Sequence, residues 1–171
     1  EDYVSMSKEK KEKAKDTIAV INLEGVIDGR NSKKSITYEN VCDKLEILEE
    51  MKNLKGLVLR INSPGGSALV SEKIYKKLKK LTVPIYVSIV DLCASGGYYI
   101  ATTGQKLFAN NLTLTGSIGV VMMYPEVEGV LKKLDVNLEG FEKGTGFDML
   151  NPFEKLGEDS KEKIIYNMNE V

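Results

Sequence analysis

Ser95 stands in the stretch Asp91-Leu92-Cys93-Ala94-Ser95-Gly96-Gly97-Tyr98-Tyr99-Ile100-Ala101. An apolar run, Pro84-Ile85-Tyr86-Val87-Ser88-Ile89-Val90, precedes it, and the start of an apolar helix follows. A serine at a strand-to-helix turn is presented by that turn, and the helix N-terminus behind it favours developing negative charge. Gly96 and Gly97 remove the side chains that would block backbone approach. This is the geometry of a nucleophile, and the same pattern also suits a serine that merely caps the helix. A second glycine-rich turn, Ser63-Pro64-Gly65-Gly66-Ser67, follows the apolar run Gly56-Leu57-Val58-Leu59-Arg60-Ile61-Asn62. Consecutive strand ends of a parallel sheet share one edge, where ligands bind. Backbone N–H groups of the first turn, together with that of Gly96, are therefore placed to form an oxyanion hole for Ser95.

The chain contains no histidine. A serine–histidine–aspartate triad and histidine metal sites cannot be built from it. A nucleophilic serine would need another base, and lysine is the usual substitute once burial lowers its pKa. The turns are not a phosphate loop, which ends in Gly-Lys-Ser/Thr. Nor do they form a Gly-x-Ser-x-Gly elbow, because Cys93 holds the first glycine position. Cys42 and Cys93 lie in apolar contexts and read as buried free thiols, with neither a disulfide framework nor a zinc site. A net charge of −1 gives no basic footprint for nucleic acid. No run approaches the length of a membrane span and no signal peptide is visible, so any anchor is expected outside this chain.

The elements that must position these turns follow from periodicity. The 171 residues suffice for one domain with a real core, and the composition (42% hydrophobic, 29% charged) is that of a globular protein. Residues 1–16, with the run Lys8-Glu9-Lys10-Lys11-Glu12-Lys13, read as a charged linker or solvated helix. Residues 17–171 read as the domain proper. Thr17-Ile18-Ala19-Val20-Ile21-Asn22-Leu23 predicts a strand covered on both faces. Residues 24–35 predict a polar loop, and Val41, Leu45 and Leu48 mark one face of a helix. A strand over 56–62, a helix through Val70, Ile74, Leu78 and Leu81, and a strand from Pro84 come next. Lys73, Lys76, Lys77, Lys79 and Lys80 form the solvated face of that helix. Alternation of this kind predicts an α/β fold with right-handed crossovers. Downstream, the pattern predicts a short strand at 106–109, then a turn and another apolar strand within 112–123. It continues with a helix through Val127, Val130, Leu131 and Leu134, a strand over 136–142, an irregular segment over 143–151, and a helix from Ser160.

Three motifs stand in one order and at fixed intervals. They are Asn62-Ser63-Pro64-Gly65-Gly66, Ala94-Ser95-Gly96-Gly97-Tyr98-Tyr99-Ile100-Ala101 and Leu114-Thr115-Gly116-Ser117-Ile118-Gly119-Val120. In this the chain, from about Ile18 onward, resembles the signal peptide peptidase A (protease IV) family of serine peptidases. The resemblance implies an α/β Clp protease/crotonase-like fold of repeated strand-strand-helix units with a mostly parallel sheet. It also implies a serine–lysine dyad without metal or cofactor, in which Ser95 matches the nucleophile and Gly66 and Gly96 match the oxyanion donors. Ser63, Pro64 and Gly65 are expected beside the substrate. Ser117 could hydrogen-bond the lysine, or could simply cap its turn.

The sequence departs from the family at the lysine. In single-domain members the base precedes an Asp-x-x-Ser-Pro-like segment. Here that segment is 146–153, Phe147 stands at the matching position, and Lys143 comes four residues too early. The chain thus resembles the C-terminal, serine-bearing half of the long duplicated members, whose N-terminal half supplies the lysine. The implied partners are peptides such as cleaved signal peptides and unfolded hydrophobic segments, the N-terminal half of the same protein, and further copies in a homotetramer. The implied place is the extracytoplasmic side of the bacterial inner membrane. Two other readings stay open: a crotonase-like acyl-CoA enzyme, and a non-catalytic half serving assembly or substrate binding.

Overall fold

The computed structural model describes residues 16–30, 35–141, 143 and 151–170. The charged run over 1–15 and the segment 144–150, with Phe147, lie outside the described residues. The chain divides into two compact units, Glu1–Gly119 and Val120–Val171.

The first unit is an α/β layer. It runs β1 (Thr17–Glu24), α1 (Tyr38–Glu49), β2 (Leu54–Ser63), α2 (Ala68–Leu78), β3 (Ile85–Ala94), α3 (Gly96–Ala101), β4 (Lys106–Phe108) and β5 (Leu114–Gly116). All four strand pairings are parallel, in the order β1-β2-β3-β4, with β5 also paired to β3. Parallel neighbours need crossovers, and α1 and α2 supply them between β1, β2 and β3. Each helix starts where a hydroxyl satisfies an otherwise orphan amide. The fully buried Thr37 side chain accepts from the Asn40 amide at 3.1 Å, and Ser67 accepts from Val70 at 3.4 Å.

The apolar stripes Val41, Leu45, Leu48 and Val70, Ile74, Leu78 join Ala19, Ile21, Leu23, Leu57, Leu59, Ile61, Ile85, Val87 and Ile89 in a single core cluster. Each Val, Leu or Ile among them contributes about 1.5–3 kcal/mol when fully buried, against exposure. The solvated reading of the α2 lysines is refined by ion pairs from Lys76 to Glu72 (2.6 Å) and from Lys77 to Glu49 (3.1 Å).

Four expectations are corrected. β1 is not covered on both faces: burial alternates strictly along it, and Ile18 is 64% exposed. The polar loop after β1 contains a core residue, Ile27, buried and bridged to both Ile36 and Gly66. The apolar run 118–123 forms no strand: β5 ends at Gly116. Among the described residues 136–141 there is no strand either.

The second unit contains α4 (Glu128–Lys133) and α5 (Glu158–Asn169). Its turn is held by the Val127 amide, which donates to the Pro152 carbonyl at 2.8 Å, and by the Tyr124 hydroxyl, which donates to the Asn151 carbonyl.

Candidate active site

The two glycine-rich turns meet. A Cβ on Gly65 would lie 2.7 Å from the Ala94 carbonyl oxygen, 2.8 Å from the Gly96 nitrogen and 2.9 Å from the Ser95 Cβ. Only a residue without a side chain admits this approach, and Gly65 also holds φ at +92°. The turn is shaped from inside by Ser63. Its side chain is fully buried and accepts the Gly65 amide at 3.1 Å, so Ser63 builds the turn while Pro64 and Gly66 form its exposed face.

Gly66 is fixed by Ile27. The Ile27 amide donates to the Gly65 carbonyl (2.8 Å) and the Ile27 carbonyl accepts from the Ser67 amide (2.8 Å). This parallel bridge uses the groups on either side of Gly66 and leaves the Gly66 amide itself outside the pairing. A Cβ on Gly66 would run into the Ile27 carbonyl oxygen. Gly96 is the first residue of α3, so its amide has no intrahelical acceptor. Its α-carbon abuts the Ser71 hydroxyl, which donates to the Ser67 carbonyl at 2.8 Å. The two turns thus meet at Gly65, with the Gly96 amide outside the α3 ladder and the Gly66 amide outside the Ile27 bridge.

Ser95 itself has φ 49° and ψ −124°, a conformation that non-glycine residues rarely adopt. Its side chain does not cap α3, which removes the capping role as the reason for a serine here. Its amide donates to the Gly116 carbonyl at 2.9 Å, and its carbonyl accepts from Tyr99 at 2.9 Å. Gly116 closes β5, so the third motif is in direct backbone contact with the second. Ser117, the next residue, is exposed and likewise has positive φ, 50°.

Beneath the turn, Cys93 is fully buried, and burial alone pushes its thiol up to about 11. It is an inert packing group, whereas Cys42 is only half-buried, and both are free. Lys76 and Lys77 are held above the usual lysine range by hydrogen bonds to Glu72 and Glu49, the direction opposite to that of a general base. Among the described residues, no cluster of three or more histidine, cysteine or acidic side chains could hold a metal ion.

Sequence reasoning missed two contributors. Ile27 is a lone apolar residue in a polar loop and gives no periodic signal. Asn62 opens the first motif without a periodic signal of its own, and its side-chain oxygen accepts the Leu92 amide at 3.2 Å.

The family model for peptidase family S49 matches residues 77–171, and that for Clp protease matches residues 9–115. The chain belongs to peptidase family S49. It is an S49 serine peptidase domain of the signal peptide peptidase A (protease IV) kind. A relative from Enterococcus faecium with the provisional name signal peptide peptidase SppA is 38% identical over 136 residues, 78% of this chain and 40% of that protein. Protease 4 of Haemophilus influenzae is 39% identical over 127 residues, 72% of this chain and 21% of its own length. The S49 chain thus spans well under half of these relatives.

Among solved structures, the 1510-N membrane-bound stomatin-specific protease, as an alanine mutant, aligns with a TM-score of 0.56 at 20% identity. The match covers 66% of this chain and 53% of that one. Another mutant of the same protease, in complex with a substrate peptide, aligns with a TM-score of 0.55 at 21% identity over 65% and 49% of the two chains. At these identities the likeness is one of fold. No helix among the described residues is long and apolar enough to cross a membrane.

Proposed function

We propose that Ser95 is the nucleophile of a serine–lysine peptidase and that Gly66 and Gly96 donate to the oxyanion. The observation that supports this reading is the contact of the Gly65 turn with Ser95, at the junction of two turns whose Gly66 and Gly96 amides lie outside the Ile27 bridge and the α3 ladder. The base is a lysine contributed by an N-terminal half of the longer polypeptide. That lysine takes the Ser95 Oγ proton as Oγ attacks the scissile carbonyl carbon, and the two amides receive the developing O⁻. The intermediate expels the amine, which leaves with the proton held by the lysine, and an ester on Ser95 remains. Water, deprotonated by the same lysine, hydrolyses that ester and frees Ser95.

The substrates are extended peptides lying beside the Ser63–Gly66 turn, pairing main chain to main chain. Their class is cleaved signal peptides and unfolded hydrophobic segments. The setting is the extracytoplasmic side of a bacterial inner membrane, with the anchor in another part of the polypeptide. The full-length protein assembles as a homotetramer, residues 17–171 form the serine-bearing peptidase domain, and Ser117 orients the lysine.

The test is labelling with a fluorophosphonate probe across pH 6–10. The full polypeptide should label, and its Ser95→Ala variant should not. Residues 1–171 alone should label only when the N-terminal half is added. Unchanged labelling of Ser95→Ala would sink the nucleophile assignment. Ser95-dependent labelling of the isolated chain would show a base within it, with Lys143 the first residue to replace.

A further inference from the structure

The end of β3 does not run in simple register with β2. Pairing proceeds from Leu57 opposite Ile85 to Ile61 opposite Ile89, then resumes with Ser63 opposite Cys93. Two steps along β2 thus face four along β3, so residues 90–92 form a bulge directly before the Ala94-Ser95 turn. A bulge leaves ladder groups without their regular partners and re-aims the strand. Here side chains replace the ladder. The Asn62 side-chain oxygen accepts the Leu92 amide at 3.2 Å. The Thr113 hydroxyl donates to the Val90 carbonyl at 2.9 Å, and the Thr115 hydroxyl donates to the Cys93 carbonyl at 2.8 Å. Asn62 is the centre of this arrangement, because its own carbonyl accepts the Gly25 amide at 3.0 Å and so ties the end of β1 to the same point.

We propose that Asn62 is a positioning residue for Ser95: by accepting the Leu92 amide inside the bulge, it fixes the register that seats Ser95 against Gly65. This rests on the reading of Ser95 as nucleophile. The hydroxyls of Thr113 and Thr115 go to the Val90 and Cys93 carbonyls instead, Leu92 stands opposite Leu114 of β5 on its other side, and the bulge is where a change of path would swing Ser95 away from the Gly66 and Gly96 amides. The requirement is for an acceptor at the tip of a short side chain, not for a charge or a donor.

The experiment uses the full polypeptide that contains this chain and compares Asn62→Leu, Asn62→Asp and Ser95→Ala. Fluorophosphonate labelling rate, kcat and KM for a peptide substrate, and the thermal midpoint are measured for each. Asn62→Leu keeps the approximate volume and loses the acceptor, and Asn62→Asp keeps the acceptor. The expected result is a labelling rate and kcat lowered about tenfold to a hundredfold in Asn62→Leu, with KM within about twofold and recovery to within about threefold in Asn62→Asp. If Asn62→Leu does not fold, Asn62→Gln takes its place, since it moves the same acceptor by one methylene. Parent-like labelling by whichever of these two variants folds overturns the proposal for Asn62 alone, provided Ser95→Ala is silent. Failure of a folded Asn62→Asp to recover also overturns it. Labelling that persists in Ser95→Ala overturns the proposal together with the nucleophile reading on which it rests.

Discussion

Replacing Gly65 by alanine tests the closest contact in the site. The new Cβ would stand 2.7–2.9 Å from the Ala94 carbonyl oxygen, the Gly96 nitrogen and the Ser95 Cβ. Non-bonded heavy atoms settle at about 3.5–4.0 Å, so the two turns must separate by about 0.6–1.3 Å. None of the three is the far end of a flexible side chain, so the separation is carried by backbone. Forcing φ +92° on an L-residue adds about 1–2 kcal/mol, and overpacking of this kind typically costs about 1–3 kcal/mol. The sum, about 2–5 kcal/mol, lies within the stability of an ordinary domain, so a folded but weakened protein is expected. Its Ser95 should sit about 1 Å from its proper relation to the Gly66 amide, which predicts a loss of about a hundredfold in labelling rate. Urea unfolding gives the first quantity and fluorophosphonate labelling of the full polypeptide gives the second. Gly119→Ala is the control: nothing described lies within 4 Å of a Cβ built there, and a change within about 0.5 kcal/mol is expected. A Gly65→Ala protein that matches this control in both assays would refute the claim that the turns are in contact.

Ile27→Ala should destabilise by about 2–5 kcal/mol, as a buried large-to-small change, and should slow labelling in the variant that remains folded, because the buried Ile27 side chain holds in place the backbone that bridges the Gly66 turn. Loss of stability without any change in labelling rate would show that the Gly66 amide does not depend on that anchor. Cys93 predicts a pH dependence. Its thiol is raised from 9.0 in the open chain to about 11 in the fold, so the folded state holds its proton where the unfolded state has lost it. Stability on this account is complete below about pH 9 and declines by about 2–3 kcal/mol as pH rises to about 11. Urea midpoints of the parent and Cys93→Ala at pH 7, 9 and 10.5 measure it, and the parent should fall more steeply. Parallel declines would refute the assignment.

How much of this was legible depends on which interactions leave a periodic trace. α1 and α2 did, because Val41, Leu45, Leu48 and Val70, Ile74, Leu78 must each face one core. β2 and β3 did as well, and the two glycine turns marked where their ends converge. The run 118–123 misled because apolar content records a tendency to be buried, while a strand also needs a ladder partner, which composition does not encode. β1 misled for a related reason. Its apolar residues fill both alternating positions, yet only Ala19, Ile21 and Leu23 face α1 and α2's side of the sheet. Asn62 was illegible because the bulge it serves is a property of two strands' relative register. The register became visible only with Ser63 opposite Cys93. Ile27 is a single long-range bridge from a loop, and no local pattern encodes one.

The backbone of Ser95 carries a consequence for how such a chain changes under selection. A serine held at φ 49° stores strain of about 1–3 kcal/mol that glycine would release. The residue that the proposed chemistry needs is therefore one that endurance alone would discard. Libraries screened only for survival at high temperature should enrich Ser95→Gly, yielding sturdier proteins that have given up their reactive hydroxyl. A screen that also scores turnover should hold the serine and gather its stabilising changes elsewhere, away from the meeting of the two turns.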